Sequence, residues 1–427
     1  MYAAITRQNF FERKLLFFLL AILFNSAIFS LRLNAETHLV GPNQRFATLS
    51  DAIAAAQGGD SVRVFAGTYK EPTIIINKAI SIQGIGNPVF DGDSLRQIFT
   101  VTADSVRIRG LTLTRCGTSF IDDRAAIKIE SVNYCVIENC RFINNFFAIY
   151  LAKSQGSRII GNKIIANTVR QSASANGIHL WYCKDVVVSN NEVIGHRDGI
   201  YFEFVKNGFV KNNTCTGNLR YGLHFMFSDH CRYIANTFRR NGAGVAVMYT
   251  KNVEMDSNRF EHNWGSASYG LLLKDISDSR IRANHFTGNS IGMYLENSNR
   301  TEVVRNTFQS NGWAVKIMAN CTQNQVSENN FIANAFDVAT NSRNNFSRFE
   351  GNYWSAYNGY DLDKDGTGDV PFRPVRLFAL IVEKHPPSLI LLRSIFVDLL
   401  DVAERVFPVL TPETLVDTRP AMKRFKR

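Results

Sequence analysis

Apolar residues recur along the middle of the chain in two columns that keep step with each other. The first follows an asparagine by two places: Asn162-Lys-Ile164, Asn191-Glu-Val193, Asn213-Thr-Cys215, Asn236-Thr-Phe238, Asn258-Arg-Phe260, Asn284-His-Phe286, Asn306-Thr-Phe308 and Asn352-Tyr-Trp354, with Phe142 and Phe331 filling the same column. From Phe142 onward the steps are 22, 29, 22, 23, 22, 26, 22, 23 and 23 residues. The second column is a Gly or Ala followed by an aliphatic residue: Ile149, Ile178, Ile200, Leu223, Val245, Leu271, Met293, Val315 and Val338. Its steps are 29, 22, 23, 22, 26, 22, 22 and 23, so both columns carry the same insertions. Self-similarity at a fixed period marks a repeat fold. Each unit holds two or three short alternating strands, such as Gly199-Ile-Tyr-Phe-Glu-Phe204, with no helical stretch between them.

Short strands with an Asn at each turn predict an all-β chain, a parallel β-helix of about 22–23 residues per coil. Stacked Asn side chains bond one another along the axis and tolerate left-handed turn geometry. About ten coils rising ~4.8 Å each make a rod on the order of 50 Å long. Upstream, Phe46-Ala-Thr-Leu-Ser-Asp-Ala-Ile-Ala-Ala-Ala56 reads as one short helix with Ser50 as its N-cap, followed by Gly58-Gly-Asp-Ser-Val-Arg-Val-Phe-Ala-Gly-Thr-Tyr69. This order resembles the start of the pectin-lyase-like right-handed β-helices. A helix there covers the open end of the first coil.

Composition narrows the reading. The chain has 427 residues, 45% hydrophobic and 20% charged, enough apolar material for a large core. Gly outnumbers Pro 28 to 10, and helix-favouring bias is missing, which argues against a bundle or coiled coil. The net charge of +11 is spread along the chain. It fits a solvated surface or a polyanionic partner. No nucleic-acid motif appears.

The N-terminus reads as an export signal. Arg7, Arg13 and Lys14 precede an unbroken apolar run, Leu15 to Phe24, and Leu33-Asn34-Ala35 supplies a small-residue cleavage site. An uncleaved anchor is the alternative. The seven cysteines form no CxxC pair, so they read as small buried hydrophobes rather than a zinc site or a disulfide framework.

Alternation along a strand sends neighbouring side chains to opposite faces. If the second column points inward, the outward column is Tyr150, His179, Tyr201, His224, Ala246, Leu272, Tyr294 and Lys316. Two residues further on, also outward, stand Ala152, Trp181, Glu203, Met226, Met248, Lys274, Glu296 and Met318. Met226 and Met248 then lie one coil apart, with His224 two residues from Met226 on the same strand. Imidazole and thioether suit Cu(I). The candidate copper set is His224, Met226 and Met248, with His179 and Glu203 beside them in the same columns. The plainer reading is an apolar strip for a protein partner. The catalytic alternative draws on Asp122, Asp123, His196, Asp198 and Glu203. Asp122 and Asp123 are adjacent and would face opposite sides, and His196-Arg-Asp198-Gly199 sits where turn residues are expected, so no catalytic residue is assigned.

Asp361-Leu-Asp363-Lys-Asp365-Gly366-Thr-Gly-Asp369 places carboxylates at positions 1, 3, 5 and 9 and Gly at 6 of an EF-hand-like calcium loop. Position 12 is Phe372, where such loops carry Glu. Beyond Pro386-Pro387, Ser388 to Phe407 reads as one helix. Ser394, Asp398, Asp401 and Arg405 form its polar stripe, opposite a wide apolar face. Asp398 and Asp401 in mid-segment argue against a membrane span. The tail either folds back on the β-helix or docks elsewhere.

Long ordered motifs point further. Arg197-Asp-Gly-Ile-Tyr-Phe-Glu-Phe204, Asn218-Leu-Arg-Tyr-Gly-Leu-His-Phe-Met-Phe-Ser-Asp229, Gly244-Val-Ala-Val-Met-Tyr249, Tyr269-Gly-Leu-Leu-Leu-Lys-Asp275, Asn352-Tyr-Trp354 and Gly359-Tyr-Asp-Leu-Asp363 through Asp369-Val-Pro-Phe-Arg-Pro374 resemble the NosD family. The resemblance spans nearly all of the chain after residue 35. It implies a non-catalytic periplasmic accessory protein that assembles the copper–sulfide site of nitrous oxide reductase, acting with an ABC transporter and handing on copper and/or sulfur. Implied partners are an ABC transporter permease and ATPase, the reductase, and a membrane-anchored copper chaperone. It also implies docking at the inner membrane through the transporter. Copper, transiently held, and calcium are the expected ions. The expected organisation is a signal at 1–35, a β-helix with its capping helix at 36–354, an Asp-rich loop at 355–375 and a helical docking segment at 376–427. The alternative is a β-helix lyase, hydrolase or epimerase acting on an acidic polysaccharide, supported by fold analogy and positive charge.

Overall fold

The computed structural model describes residues 35–406 and 415–426, apart from residues 120 and 343. The candidate export signal lies outside the described residues except for Ala35. Three parallel sheets of 14, 12 and 13 strands wrap one core, and a complete coil gives one strand to each sheet. Fourteen coils at ~4.8 Å make a rod on the order of 65 Å long. That exceeds the ten coils read from the repeat, because the coils before Phe142, such as those of Ser61–Phe65 and Ser81–Ile85, lack the asparagine column.

The first apolar column stacks in register from Phe142 to Trp354 inside the 13-stranded sheet. Phe260, Phe286, Phe308, Phe331 and Trp354 lie face to face, with centroids 4.6, 4.7, 5.0 and 4.1 Å apart in turn. The asparagine two places earlier is buried and forms a continuous ladder. Asn258, for example, accepts from the backbone and side chain of Asn236, and its amide donates to Tyr233 O and Asn284 Oδ1. A second ladder runs Asn218, Asn241, Asn263, Asn289, Asn311 and Asn334 at the next corner. The glycine before each inward aliphatic has a steric cause. A Cβ on Gly199, Gly222, Gly244, Gly270 or Gly292 would lie 2.3–2.8 Å from the carbonyl oxygen of the next coil.

The N-terminal helix α1, Leu49–Ala55, buries Leu49, Ala52 and Ile53. Its N-cap is Thr48, whose hydroxyl accepts from Asp51 N at 3.1 Å, not Ser50. The Ser50 hydroxyl instead donates to Glu71 at 2.6 Å.

The far end closes differently. Helix α2, Leu377–Lys384, buries Phe378, Ala379 and Val382 in a cluster with Phe336 and Val397, and Glu383 pairs with Lys316 at 2.6 Å. A 3-10 turn, Pro386–Leu391, leads to α3, Ile395–Val406. The single helix read from Ser388 to Phe407 is therefore two pieces. Leu392 N and Ser394 N bond three residues back, and Ser394 precedes the new helix, a position serine prefers to a helix interior. Residues 415–426 then return to the last coil, where Leu415 and Asp417 are fully buried. Asp417 ends the asparagine ladder: its carboxylate accepts from Asn352 N, Asn352 Nδ2, Trp354 Nε1 and Gly351 N. All seven cysteines are free and buried. Burial pushes the Cys116 and Cys140 thiols up to about 12. Among the described residues no helix is long and apolar enough to cross a membrane.

Candidate functional site

The outward columns lie on the 12-stranded sheet. Strand register runs Tyr150, His179, Tyr201, His224, Ala246, Leu272, Tyr294 and Lys316 in one line, and Ala152, Trp181, Glu203, Met226, Met248, Lys274 and Glu296 in the other. Met318 departs from this pattern: it follows the strand Trp313–Ile317 and is buried. Met226 and Met248 are direct register partners, each half-buried.

The two histidines differ. His179 is sandwiched between Tyr150 and Tyr201, with centroids 4.7 and 4.8 Å away. Its Nδ1 lies 2.9 Å from the Asn176 amide nitrogen, so that lone pair is already taken. Burial, helped by the Arg197 charge, pushes its pKa down to about 3. His224 sits between Tyr201, 5.0 Å away, and Tyr221, 4.7 Å away. Although buried, neither of its ring nitrogens has a hydrogen-bond partner. Leaving such groups orphaned costs free energy unless something fills the role.

Tyr201 links the rest. Its hydroxyl donates to Glu203 at 3.3 Å and lies 3.7 Å from Met226 Sδ. Burial and the Glu203 charge raise its pKa, so it stays protonated. Beyond Met248 the column turns ionic, with Lys274 and Glu296 3.6 Å apart. An imidazole with two orphaned nitrogens beside two thioethers is a soft donor set that fits Cu(I).

Two features escaped the sequence reading. Asp198 is not a turn residue: it opens the strand Asp198–Glu203, fully buried, and holds Arg220 through both carboxylate oxygens. Burial pushes its pKa up, but the Arg220 pairing outweighs that and holds it below the usual range. The second feature follows the methionine column by one residue. Tyr182, Phe204, Phe227 and Tyr249 stack at 4.5, 5.0 and 5.1 Å along a corner, all at positive φ between 49° and 55°. Bulky residues rarely adopt that conformation, and ring stacking offsets part of the cost. Tyr182, Phe227 and Tyr249 are exposed. The steps of 22, 23 and 22 residues between these aromatics were the available signal.

The carboxylates proposed for catalysis do not converge. Asp198 and Glu203 stand five residues apart on one strand, roughly 16 Å, beyond the ~5–9.5 Å that glycoside hydrolysis uses. Asp122 and Asp123 are exposed in an insertion. His196 is fully buried against Ser174, and burial pushes its pKa down to about 4. In the acidic loop, ligand oxygens of Asp361, Asp363 and Asp365 lie within 4.8 Å of one another. Asp369 falls outside that group and accepts from Leu362 N at 2.8 Å.

Residues 165–359 match the family described as periplasmic copper-binding protein (NosD), and residues 96–203 match the right-handed β-helix region. Two relatives named probable ABC transporter binding protein NosD align over 86% of the chain. One, from Pseudomonas aeruginosa, is 27% identical over 89% of its length; the other, from Stutzerimonas stutzeri, is 26% identical over 87%. The chain is similar to the NosD family along most of its length. The Streptococcus pneumoniae surface adhesin PfbA shares the fold, with 14% identity, a TM-score of 0.56, and coverage of 70% of this chain and 94% of the adhesin. The description of that family names the periplasm and copper, and the names of both relatives refer to an ABC transporter.

Proposed function

We propose that this protein acts as a NosD-type accessory factor for assembling the copper–sulfide site of nitrous oxide reductase. In this reading it holds Cu(I) in transit on His224, Met226 and Met248. Glu203, through Tyr201, positions Met226, and His179 packs the aromatic column that supports His224. The observation that carries the reading is the in-register Met226–Met248 pair beside a buried imidazole with no hydrogen-bond partner. Copper comes from a membrane-anchored chaperone and passes on to the reductase, with a permease and its ATPase as the docking platform. Anaerobic competition with a chromophoric chelator tests the site. His224→Ala/Met226→Leu/Met248→Leu should weaken Cu(I) binding at least tenfold, and binding equal to the parent overturns the assignment.

Docking falls to the outer face of α3. Ile395, Phe396, Leu399, Val402 and Val406 are exposed there, while Val397 packs inward against α2. An apolar face of that width calls for a cover. Leu399→Asp/Val402→Asp should leave melting unchanged and abolish co-purification with the transporter; retained co-purification rules the face out. Removing everything after Pro374 is a poor test, because it also removes Asp417. For the acidic loop, calcium on Asp361, Asp363 and Asp365 should raise the melting temperature at millimolar concentration. No difference between parent and Asp363→Asn refutes it.

A further inference from the structure

The two histidines of the outward column offer different nitrogens. At His179 the Asn176 amide occupies Nδ1. At His224 both nitrogens are unpartnered, and Nδ1 lies 3.7 Å from Asp198 Oδ2. Asp198 cannot swing away. Arg220 Nε donates to Oδ1 at 2.8 Å, a second guanidinium nitrogen pairs with Oδ2, and Tyr221 N reaches Oδ1 at 3.3 Å. The Arg220 guanidinium also lies over the Tyr221 ring, 5.2 Å from its centroid, and that ring packs on His224. Oδ2 therefore keeps an acceptor site on the His224 side. Closing 3.7 Å to hydrogen-bond length takes a shift of under about 1 Å.

We propose that Asp198 is the positioning residue for His224, taking its Nδ1–H so that Nε2 is the nitrogen offered to Cu(I). Histidine ligands nearly always donate their other ring N–H to a carboxylate, carbonyl or water, and this fixes tautomer and ring orientation. The orphaned imidazole, the immobilised carboxylate and their spacing are the elements of that arrangement. It also separates the histidines: His224 is the ligand, and His179 is a packing residue of the aromatic column. The inference rests on the copper reading above and is separable from it.

The test uses the full chain without its export segment, loaded anaerobically with one equivalent of Cu(I), and compares the parent, Asp198→Asn and His224→Ala. Chelator competition gives affinity. Nitrogen-15 NMR of the histidine rings, feasible because Cu(I) is diamagnetic, reports which nitrogen carries hydrogen. The expected result is Nδ1–H and metallated Nε2 at His224 in the parent, with affinity roughly 10- to 100-fold lower in Asp198→Asn. If His224→Ala binds like the parent, the copper site itself is wrong, and this inference fails with it. If His224→Ala loses binding while Asp198→Asn keeps the parent's affinity, the inference alone fails. If Asp198→Asn does not fold, the parent spectrum decides: metallated Nδ1 overturns the role and metallated Nε2 supports it.

Discussion

Two columns of polar side chains climb the same rod at the same spacing, one inside and one outside. Inside, the Asn258 side chain makes four hydrogen bonds in the ladder, and its neighbours repeat the pattern up to Asp417. Outside, His224 is equally out of reach of water, yet its nitrogens bond to nothing. A buried polar group that is fully paired belongs to the fold; one left unpaired is a cost the fold alone does not explain. The same repeat thus serves two ends. Its inner asparagine ladder is saturated, and its outer column carries soft, polarizable donors.

The largest effect should come from breaking the inner column. Asn258→Ala strips acceptors from Asn236 N and Nδ2 and a donor from Tyr233 O, all in the interior. Each orphaned group costs roughly 1–3 kcal/mol, so the variant should lose about 3–5 kcal/mol in denaturant unfolding. Asp417→Ala should act similarly at the open end, where one carboxylate serves Asn352, Trp354 and Gly351. A loss under about 1 kcal/mol in both would mean the ladders are ornamental and the comparison fails.

The inner column was readable because its constraint is periodic. Burial forces one residue type to recur at every coil, so Asn162 through Asn352 announced both the repeat and its insertions. The outer strip was readable only in direction. Register placed Met226 beside Met248, but nothing in the sequence distinguishes a histidine sandwiched and hydrogen-bonded, as His179 is, from one left open, as His224 is. That difference depends on Asn176, just before the strand of His179, and on Asp198, which opens the strand one coil before that of His224. Asp198 was misread because Asp-Gly has a strong local preference for turns. Here the Arg220 pairing and the close approach of Gly199 to the next coil override it. The tail was the least legible, since its closing contacts join Asp417 to residues 63–66 positions earlier.

A middle-sized effect should appear with pH. His196 is buried with Nε2 unpartnered, and its pKa is pushed down to about 4 from an ordinary value near 6.5. Between those values the unfolded chain binds a proton that the folded chain refuses. Stability contributed by the neutral ring is therefore full above pH ~6.5 and is lost as pH falls toward 4. From pH 7 to pH 5 the parent should lose on the order of 1–2 kcal/mol more than His196→Leu, measured by urea unfolding at both values. Equal losses would show that His196 takes up its proton without unfolding, and so behaves like a group on the surface.

The smallest effect on stability, and the one that bears most directly on the contrast, belongs to His224→Phe. A phenyl ring keeps the packing against Tyr201 and Tyr221 and removes both orphaned nitrogens. Replacing an unsatisfied buried polar group by an apolar one of similar shape is near neutral or stabilising. Unfolding free energy should stay within about 0.5 kcal/mol of the parent or rise by up to about 1 kcal/mol. Cu(I) affinity, measured on the same preparation, should fall at least tenfold. If stability instead drops by about 2 kcal/mol or more, His224 has partners in the folded protein comparable to those of Asn258. Its nitrogens would then be structural, the distinction between the two columns would disappear, and the copper assignment would lose its main support.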